Sequence, residues 1–443
     1  MLTAGETRRF YSCSLSLDQK RLMFQYQRDS HAAAWTQDYV FQQLIPYIGN
    51  KRKLLGLLQK AIEYTGISPE DSVFLDIFAG SGVVARMAKR LGFQVIANDW
   101  EPYAFELNNC YIGINSPPVF HAFGGYERAL QLLNNLEPLE DWITRHLCPD
   151  DDVFYDVDRD RMFYTRSNGM RLDAMRAQIE AWDLDGLLNP LEKSCLLAPL
   201  IYQASYTSNT SGVFKAFHNG WGGQTGTALY RILSQARLQS AVFHNNHQPN
   251  SVFRMDCQHL VQLLADQQQQ VDIAYLDPPY NQHPYGSNYH VLNSIALWDR
   301  PALTEKIEGR NKSAIRDDWK MDRRSAYNYR GEASRAYCTL LETLQATHIL
   351  TSYSTDGMIP LETMVAACIG KGHTEVICRP YKRYRVSAQR FSSKPLTVEF
   401  VLMVNTAERH HGLSTEGMCE HIRMAEETAL SAHPESAFEL TGG

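Results

Sequence analysis

The chain has 443 residues and a mass of 50.5 kDa, more than one average domain, which predicts two bodies or one large domain carrying an insertion. Its 44% hydrophobic and 21% charged residues exclude a disordered or collagen-like chain, and no run approaches the roughly 18 apolar residues of a membrane helix. A net charge of −6 and a pI of about 6.2 exclude a histone-like polycation but leave room for a local basic face.

In chain order, residues 1–43 are mixed polar and aromatic and read as an N-terminal extension. The spacing of Leu54, Leu55, Leu57, Leu58 and Ile62 predicts a helix over 51–64. Phe74-Leu75 and Ile77-Phe78 predict a buried strand, AGSG a turn, VVARMAKRL a helix ended by Gly92, and Gln94–Ala97 a second strand. This is one βαβ unit of an α/β fold. Residues 117–250 break the alternation, with an acidic run, helices expected at about 170–182 and 191–204, and a glycine-rich stretch at 211–226, as an inserted subdomain would. From 251 the alternation resumes: Val271–Leu276 reads as a strand, 340–353 as helix then strand, and VICRPYKRYR and LTVEFVLMVN as an antiparallel pair. Residues 406–443 are polar and read as a loose tail. The nine cysteines contain no CxxC pair, and no HExxH or Cys–His spacing predicts a metal. With no apolar leader block at the N-terminus, they read as reduced thiols of a cytoplasmic protein.

Two places carry chemistry. Ligands of an open α/β sheet sit outside the carboxyl ends of its strands, where Asp76-Ile-Phe-Ala-Gly80-Ser-Gly82 falls. Gly80 and Gly82 allow a tight turn and close approach of a ligand to the main chain. Asp99, at the end of the second strand, can accept from both hydroxyls of a ribose, and Asp76 is placed to meet a positive group. Together they fit an amino-acid nucleoside such as S-adenosylmethionine. The second place is Asp277-Pro278-Pro279-Tyr280, directly after the strand VDIAYL. The prolines stiffen the loop and offer no N–H, so the Pro278 carbonyl and the Asp277 carboxylate make two acceptors at one point. Two acceptors suit an exocyclic amine, and Tyr280 offers a flat face to an aromatic base. Holding both amine hydrogens turns the nitrogen lone pair toward an electrophile, and alignment does most of the work.

The ordered set resembles an adenine-N6 DNA methyltransferase of the Dam-like group, and the wording YLDPPYNQHPYGSNYHVLN is similar to HpaI-type modification methylases. Four pieces carry the resemblance: Pro46-Tyr-Ile-Gly-Asn-Lys51-Arg-Lys-Leu, Asp76 to Gly82, Asn98-Asp99-Trp-Glu, and Asp277 to Tyr280. It covers roughly 44–115 and 251–405. It implies a Rossmann-like S-adenosylmethionine-dependent catalytic domain over 44–116 and 251–405, and a mostly helical target-recognition subdomain inserted at 117–250. It further implies that Tyr47 and Lys51 contact the cofactor's methionine end, that Asp76, Phe78, Gly80 and Gly82 form its glycine turn, and that Trp100 lies beside its adenine. Asp256, with Cys257 next to it, would accept from the adenine amine. Asp277, Pro278, Pro279 and Tyr280 would hold a base flipped out of the duplex.

The partner implied is double-stranded DNA, with a cognate restriction endonuclease if the enzyme belongs to a restriction-modification pair. The protein would be a monomer or weak dimer in the cytoplasm, associated with the nucleoid. The basic, aromatic-interleaved run with Arg379, Lys382, Arg383, Arg385 and Arg390 is the expected phosphate contact, and Lys215 and His218 in the glycine-rich stretch are expected to meet DNA. His283 and His290 flank the catalytic loop but are assigned no general-base role, because the methylated amine is itself acidic. Three alternatives stay open: an RNA adenine methyltransferase, a DNA cytosine-N4 methyltransferase, and a non-catalytic DNA-binding subunit. The intact tetrad and glycine turn speak against the last.

Overall fold

In the computed structural model, which describes residues 39–382 and 396–432, the chain divides into two compact units. A sheet unit takes in Gly49–Ser116, Phe243–Pro284 and the described residues from Asp318 onward. A helical unit takes in residues 39–48, Pro117–Val242 and Tyr285–Asp317. The expected insertion at 117–250 is therefore one of three stretches of the helical unit, which also gathers chain on either side of it.

The sheet has seven strands: β1 Val73–Asp76, β2 Gln94–Asn98, β3 Ser251–Phe253, β4 Ile273–Leu276, β5 His348–Ser354, β6 His373–Lys382 and β7 Leu396–Asn405. Their order is β3-β2-β1-β4-β5-β7-β6. The first five are parallel, and β7 runs antiparallel to both of its neighbours, as expected for the two late strands. β1 (VFLD) and β4 (IAYL) are buried at every position, which is why they read as near-continuous apolar runs rather than alternating ones. Both are shorter than expected. In particular, Ile77-Phe78 has already left the sheet for the turn.

Helices α1 Leu55–Tyr64, α2 Val83–Leu91, α3 Pro102–Asn108, α4 Cys257–Asp266, α5 Arg330–Thr343, α6 Leu361–Lys371 and α7 Thr415–Ala432 complete this unit. Gly92 ends α2 at φ 109°, as its position in the sequence predicts. Helices α4 to α7 bury Leu260, Tyr337, Met364 and Ile422 in one cluster with Leu276, Ile349 and Phe400 of the sheet. The loose-tail reading of 406–443 is thus corrected over 415–432. Met418, Cys419 and Ile422 of α7 are buried, and each large apolar side chain so buried contributes about 1.5–3 kcal/mol.

The chain leaves β1 toward β2 and β3 on one side, then returns to lay β4 on the other. This reversal of winding opens a crevice at the carboxyl ends of β1 and β4, the usual ligand position in such sheets.

The helical unit is built on helices Arg166–Leu184 and Pro190–Tyr206, close to the two expected. Asn189 caps the second through a reciprocal box with Glu192. The glycine-rich stretch is organised from within by buried Asn209. Its Nδ2 donates to the carbonyls of Met162, His218 and Gly220, and its Oδ1 accepts from Gly222 N–H. Among the described residues no helix is long and apolar enough to cross a membrane.

Candidate active site

The crevice of the sheet unit collects most of the expected site residues. Asp76 ends β1 and is buried, and its Oδ1 has no hydrogen-bond partner. After it the chain turns through Gly80 at φ 52° and Gly82 at φ 79°. Asn108 of α3 closes over this turn: its Nδ2 donates to Gly80 O at 3.2 Å, and a Cβ on Gly82 would collide with its Oδ1. Gly82 is therefore required twice, by its backbone angle and by this close approach. Asp99 follows β2, and its Oδ2 accepts from Gly80 N–H at 2.8 Å while its Oδ1 accepts from Glu101 N–H at 2.9 Å. The second-strand acid thus fixes the turn as well as facing the crevice. Asn98 is buried beside it and ties the strand ends together, donating to Ile77 O and Met255 O and accepting from Met255 N–H.

Asp277 follows β4, so two strand-end acids flank the reversal point. The unexpected feature lies between them. Lys51, in the 3-10 turn Lys51–Leu54, is buried and places its Nζ 3.1 Å from Asp277 Oδ1 and 3.3 Å from Glu399 Oε2 of β7. Its ammonium also lies 5.8 Å from the Tyr280 ring centroid. The lysine of the expected cofactor motif is thereby joined to the expected catalytic tetrad. Glu399 went unnoticed in the sequence, although an ionisable residue inside the apolar strand LTVEFVLMVN is a signal, since a buried charge needs a partner.

Burial is the largest influence on Asp76, Asp99 and Asp277. It pushes the Asp277 carboxyl up to about 6, with Lys51 pulling down and Glu399 pushing further up. It pushes Asp99 to about 6 against the hydrogen bonds from the Glu101, Gly80 and Trp100 amides. Asp76 stands well above the ordinary carboxylate value through burial and the nearby Asp277 and Asp99 charges. For Lys51, burial disfavours the charge, but Asp277 and Glu399 outweigh it and hold its pKa well above normal. Four carboxyl groups, Asp76, Asp99, Asp277 and Glu399, lie at the site with one ammonium, Lys51, so the site favours an arriving cation.

Asp256 caps α4, accepting from Gln258 N–H at 2.9 Å. Cys257 is buried, and burial together with Asp256 pushes its thiol up to about 12. Tyr327 lies against the thiol and packs edge-on to Phe78 at 5.3 Å between centroids. Sequence reading missed this residue, because nothing in AYNYR marks one tyrosine as facing a site 249 positions away from Phe78. Trp100 and Pro279 are partly exposed and Pro278 is buried.

Tyr47 belongs to the helical unit. There it stacks on Tyr285 at 5.2 Å and on Tyr289 at 5.0 Å, and the Tyr289 hydroxyl accepts from Ile48 N–H. His290 is buried with its Nε2 2.9 Å from Phe214 O, a structural position. Lys215 and His218 are half-buried, the ring of His218 lying under Gly223. Arg379 is exposed, with Nη1 donating to Lys53 O. The backbone of Lys382 ends β6, and Arg383, Arg385 and Arg390 lie outside the described residues. Among the described residues no group of three or more His, Cys, Asp or Glu side chains could hold a metal.

The residues fit the cofactor that the sequence implies. An orphaned carboxylate oxygen on Asp76, a glycine turn open to close approach and an acid-rich crevice suit a ligand carrying both an ammonium and a sulfonium.

Comparison with known proteins agrees. The family model for D12 class N6 adenine-specific DNA methyltransferases matches residues 47–328. The chain is 31% identical over 353 residues to the type II methyltransferase M.FokI of Planomicrobium okeanokoites, covering 79% of this chain and 50% of that protein. It is 31% identical over 340 residues to M.NlaIII of Neisseria lactamica, covering 76% and 92%. It is also 31% identical over 344 residues to the modification methylase StsI of Streptococcus sanguinis, covering 76% and 48%. The chain thus spans about half the length of M.FokI and StsI and most of M.NlaIII. By the extent of the family match and the near-full coverage of M.NlaIII, the chain belongs to the D12 class of N6 adenine-specific DNA methyltransferases.

Proposed function

We propose that this chain methylates the N6 amine of adenine in double-stranded DNA at a specific site, with S-adenosylmethionine as the methyl donor. The observation that carries the reading is the placement of Asp277-Pro278 beside the Asp76–Gly82 turn, at the two strand ends flanking the reversal of the sheet. The donor, bound at the glycine turn, supplies a methyl group activated on a sulfonium. Asp76 holds its ammonium, Asp99 its ribose, and Trp100, Phe78, Asp256 and Cys257 its adenine. Tyr47 belongs to the same binding set, as the family's motif implies.

Asp277 and the Pro278 carbonyl accept the two amine hydrogens, which directs the nitrogen lone pair at the methyl carbon. As the nitrogen–carbon bond forms and the carbon–sulfur bond breaks, the nitrogen becomes cationic and gives up a proton. The methylated amine is acidic enough to lose it without a dedicated base. Tyr280 stacks on the target base after it leaves the duplex, returning about 1–3 kcal/mol of the cost of unstacking. Lys215, His218 and the run from Arg379 through Arg390 meet the DNA, and the helical unit contributes target recognition. By analogy with the relatives named as modification methylases, the partner beyond DNA is a restriction endonuclease, and the place of action is the cytoplasm, where that DNA lies.

The test is transfer of labelled methyl to duplex DNA and to RNA, followed by nucleoside analysis. N6-methyladenine in DNA is expected, and Asp277→Ala should abolish it while cofactor still binds. N4-methylcytosine, label confined to RNA, or full turnover by Asp277→Ala would overturn the reading.

A further inference from the structure

The Lys51 ammonium is shared between two carboxylates, and only one of them belongs to the catalytic tetrad. We propose that Glu399 is a positioning residue for methyl transfer, pinning Lys51 so that Asp277 is fixed through one oxygen and presents the other to the target amine. The inference rests on the reading of Asp277 given above.

The geometry is specific. Asp277 meets Lys51 through Oδ1 at 3.1 Å, and among the described residues it makes no other hydrogen bond or ion pair, which leaves Oδ2 to a ligand. A lysine ammonium on its four-carbon stem is a mobile point charge. With Asp277 as its only partner it could follow that carboxylate through many orientations. The second anchor at 3.3 Å removes this freedom, and it comes from a rigid place. Glu399 sits within β7, paired across the sheet with Ser354 of β5 and Arg379 of β6. All three side chains are largely buried, at 4% exposure for Lys51, 16% for Asp277 and 10% for Glu399.

Glu399 also adjusts how tightly Lys51 holds Asp277. An ammonium shared between two anions withdraws less charge from each than one held by a single anion, so Asp277 stays a stronger acceptor. The other titratable groups around the pair are Asp76 on β1, Tyr275 on β4, Tyr280 in the tetrad and Tyr353 on β5. Arg379 stands opposite Glu399 on β6 and turns its Nη1 to Lys53 O; among the described residues Lys51 is the cation that pairs with Asp277 and Glu399, and Glu399 governs how that one charge is divided.

Glu399→Gln keeps the size of the side chain and removes its charge. The expected result is a fall in kcat of about tenfold to a hundredfold, the range for misplacing a reacting group, with KM for S-adenosylmethionine little changed. The acidic limb of the kcat profile should move to lower pH, because Asp277 loses a repelling neighbour and keeps Lys51. Glu399→Asp, which retains the charge on a shorter stem, should fall between Gln and wild type in both kcat and limb position; it decides the matter if the Gln variant does not fold. Wild-type kcat with an unmoved limb in either folded variant overturns the proposal. So does a loss of cofactor affinity and melting temperature with the limb unmoved, which is what a merely structural residue would show. Carbon-13 NMR titration of the Asp277 carboxyl in substrate-free protein reads the same shift without turnover. An inactive wild type would therefore refute the function, while the titration still judges Glu399.

Discussion

Asp76, Asp99 and Asp277 each end or follow a strand, and burial holds each carboxyl above its ordinary value, to about 6 for the last two. Carboxyls raised in this way are partly protonated near neutrality, and a cation arriving beside them pulls their pKa values back down. Binding of S-adenosylmethionine should therefore release protons, most strongly below about pH 6, and affinity should fall as pH drops below about 6, where the proton must first be displaced. Calorimetry in buffers of differing ionisation enthalpy measures this release directly. Asp76→Asn should reduce it, and a heat of binding independent of the buffer would refute the assignment. The acids that carry this behaviour were legible in the sequence because they adjoin residues that make a turn: two glycines after Asp76, two prolines after Asp277. Glu399 was legible only as a strand charge in need of some partner, and Tyr327 not at all. Their meaning comes from partners 348 and 249 positions away, at Lys51 and Phe78, and no local pattern encodes such a pairing.

At the level of elements, periodicity located the helices and strands well where one face is buried, and failed where polarity hid a short apolar stripe. α7 looks polar in composition, yet Met418 and Ile422 stand four apart and face the core. The helical unit shows a different joint, made by an acid that no pattern marks. Asp173 of helix Arg166–Leu184 is fully buried and reaches across to the start of helix Trp142–Leu147. Its Oδ1 accepts from Ile143 N–H at 2.8 Å, and its Oδ2 accepts from Thr144 N–H at 2.8 Å, from the Thr144 hydroxyl at 2.7 Å and from Asp141 N–H at 3.1 Å. It does for that helix what its own N-cap side chain does not. Asp173→Ala strands several buried donors together and should lower stability by about 2–4 kcal/mol. Chemical denaturation would register this as a lower midpoint. A midpoint within experimental scatter of wild type would show that water replaces the carboxylate and that the joint is dispensable. Because burial raises Asp173 to about 6, above its unfolded value, ionisation opposes folding. Its contribution is therefore largest below the unfolded carboxylate pKa and declines as pH rises through 6.

For the whole molecule, the sequence showed that the α/β pattern is interrupted, but not that the interruption would gather residues 39–48 and Tyr285–Asp317 into the same unit as Pro117–Val242. Composition changes along the chain, whereas a unit is defined by contacts across it. Charge follows the same logic. A protein of net charge −6 must concentrate its cations to hold a polyanion. Between Arg310 and Arg335, Arg316 is paired with Asp299, Arg323 with Asp318, and Arg324 with Glu332, which neutralises three of the cations there. The run joining β6 to β7 has no acid between Arg379 and Lys394, so its cations are not neutralised by sequence neighbours. If it contacts phosphates, each contact releases counterions, and the slope of log affinity against log salt should change by about 0.9 per contact removed. Arg383→Gln with Arg385→Gln should make that slope shallower by about 2 on cognate and non-cognate duplexes alike, because phosphate contacts carry no sequence information. The rate of methyl transfer at saturating DNA should be unchanged, since a phosphate contact that only tightens binding no longer limits the rate once DNA saturates. Equilibrium binding by fluorescence anisotropy across a salt series distinguishes the cases. An unchanged slope moves the DNA face to another surface, and a loss confined to the cognate duplex makes these arginines readers of bases rather than of backbone.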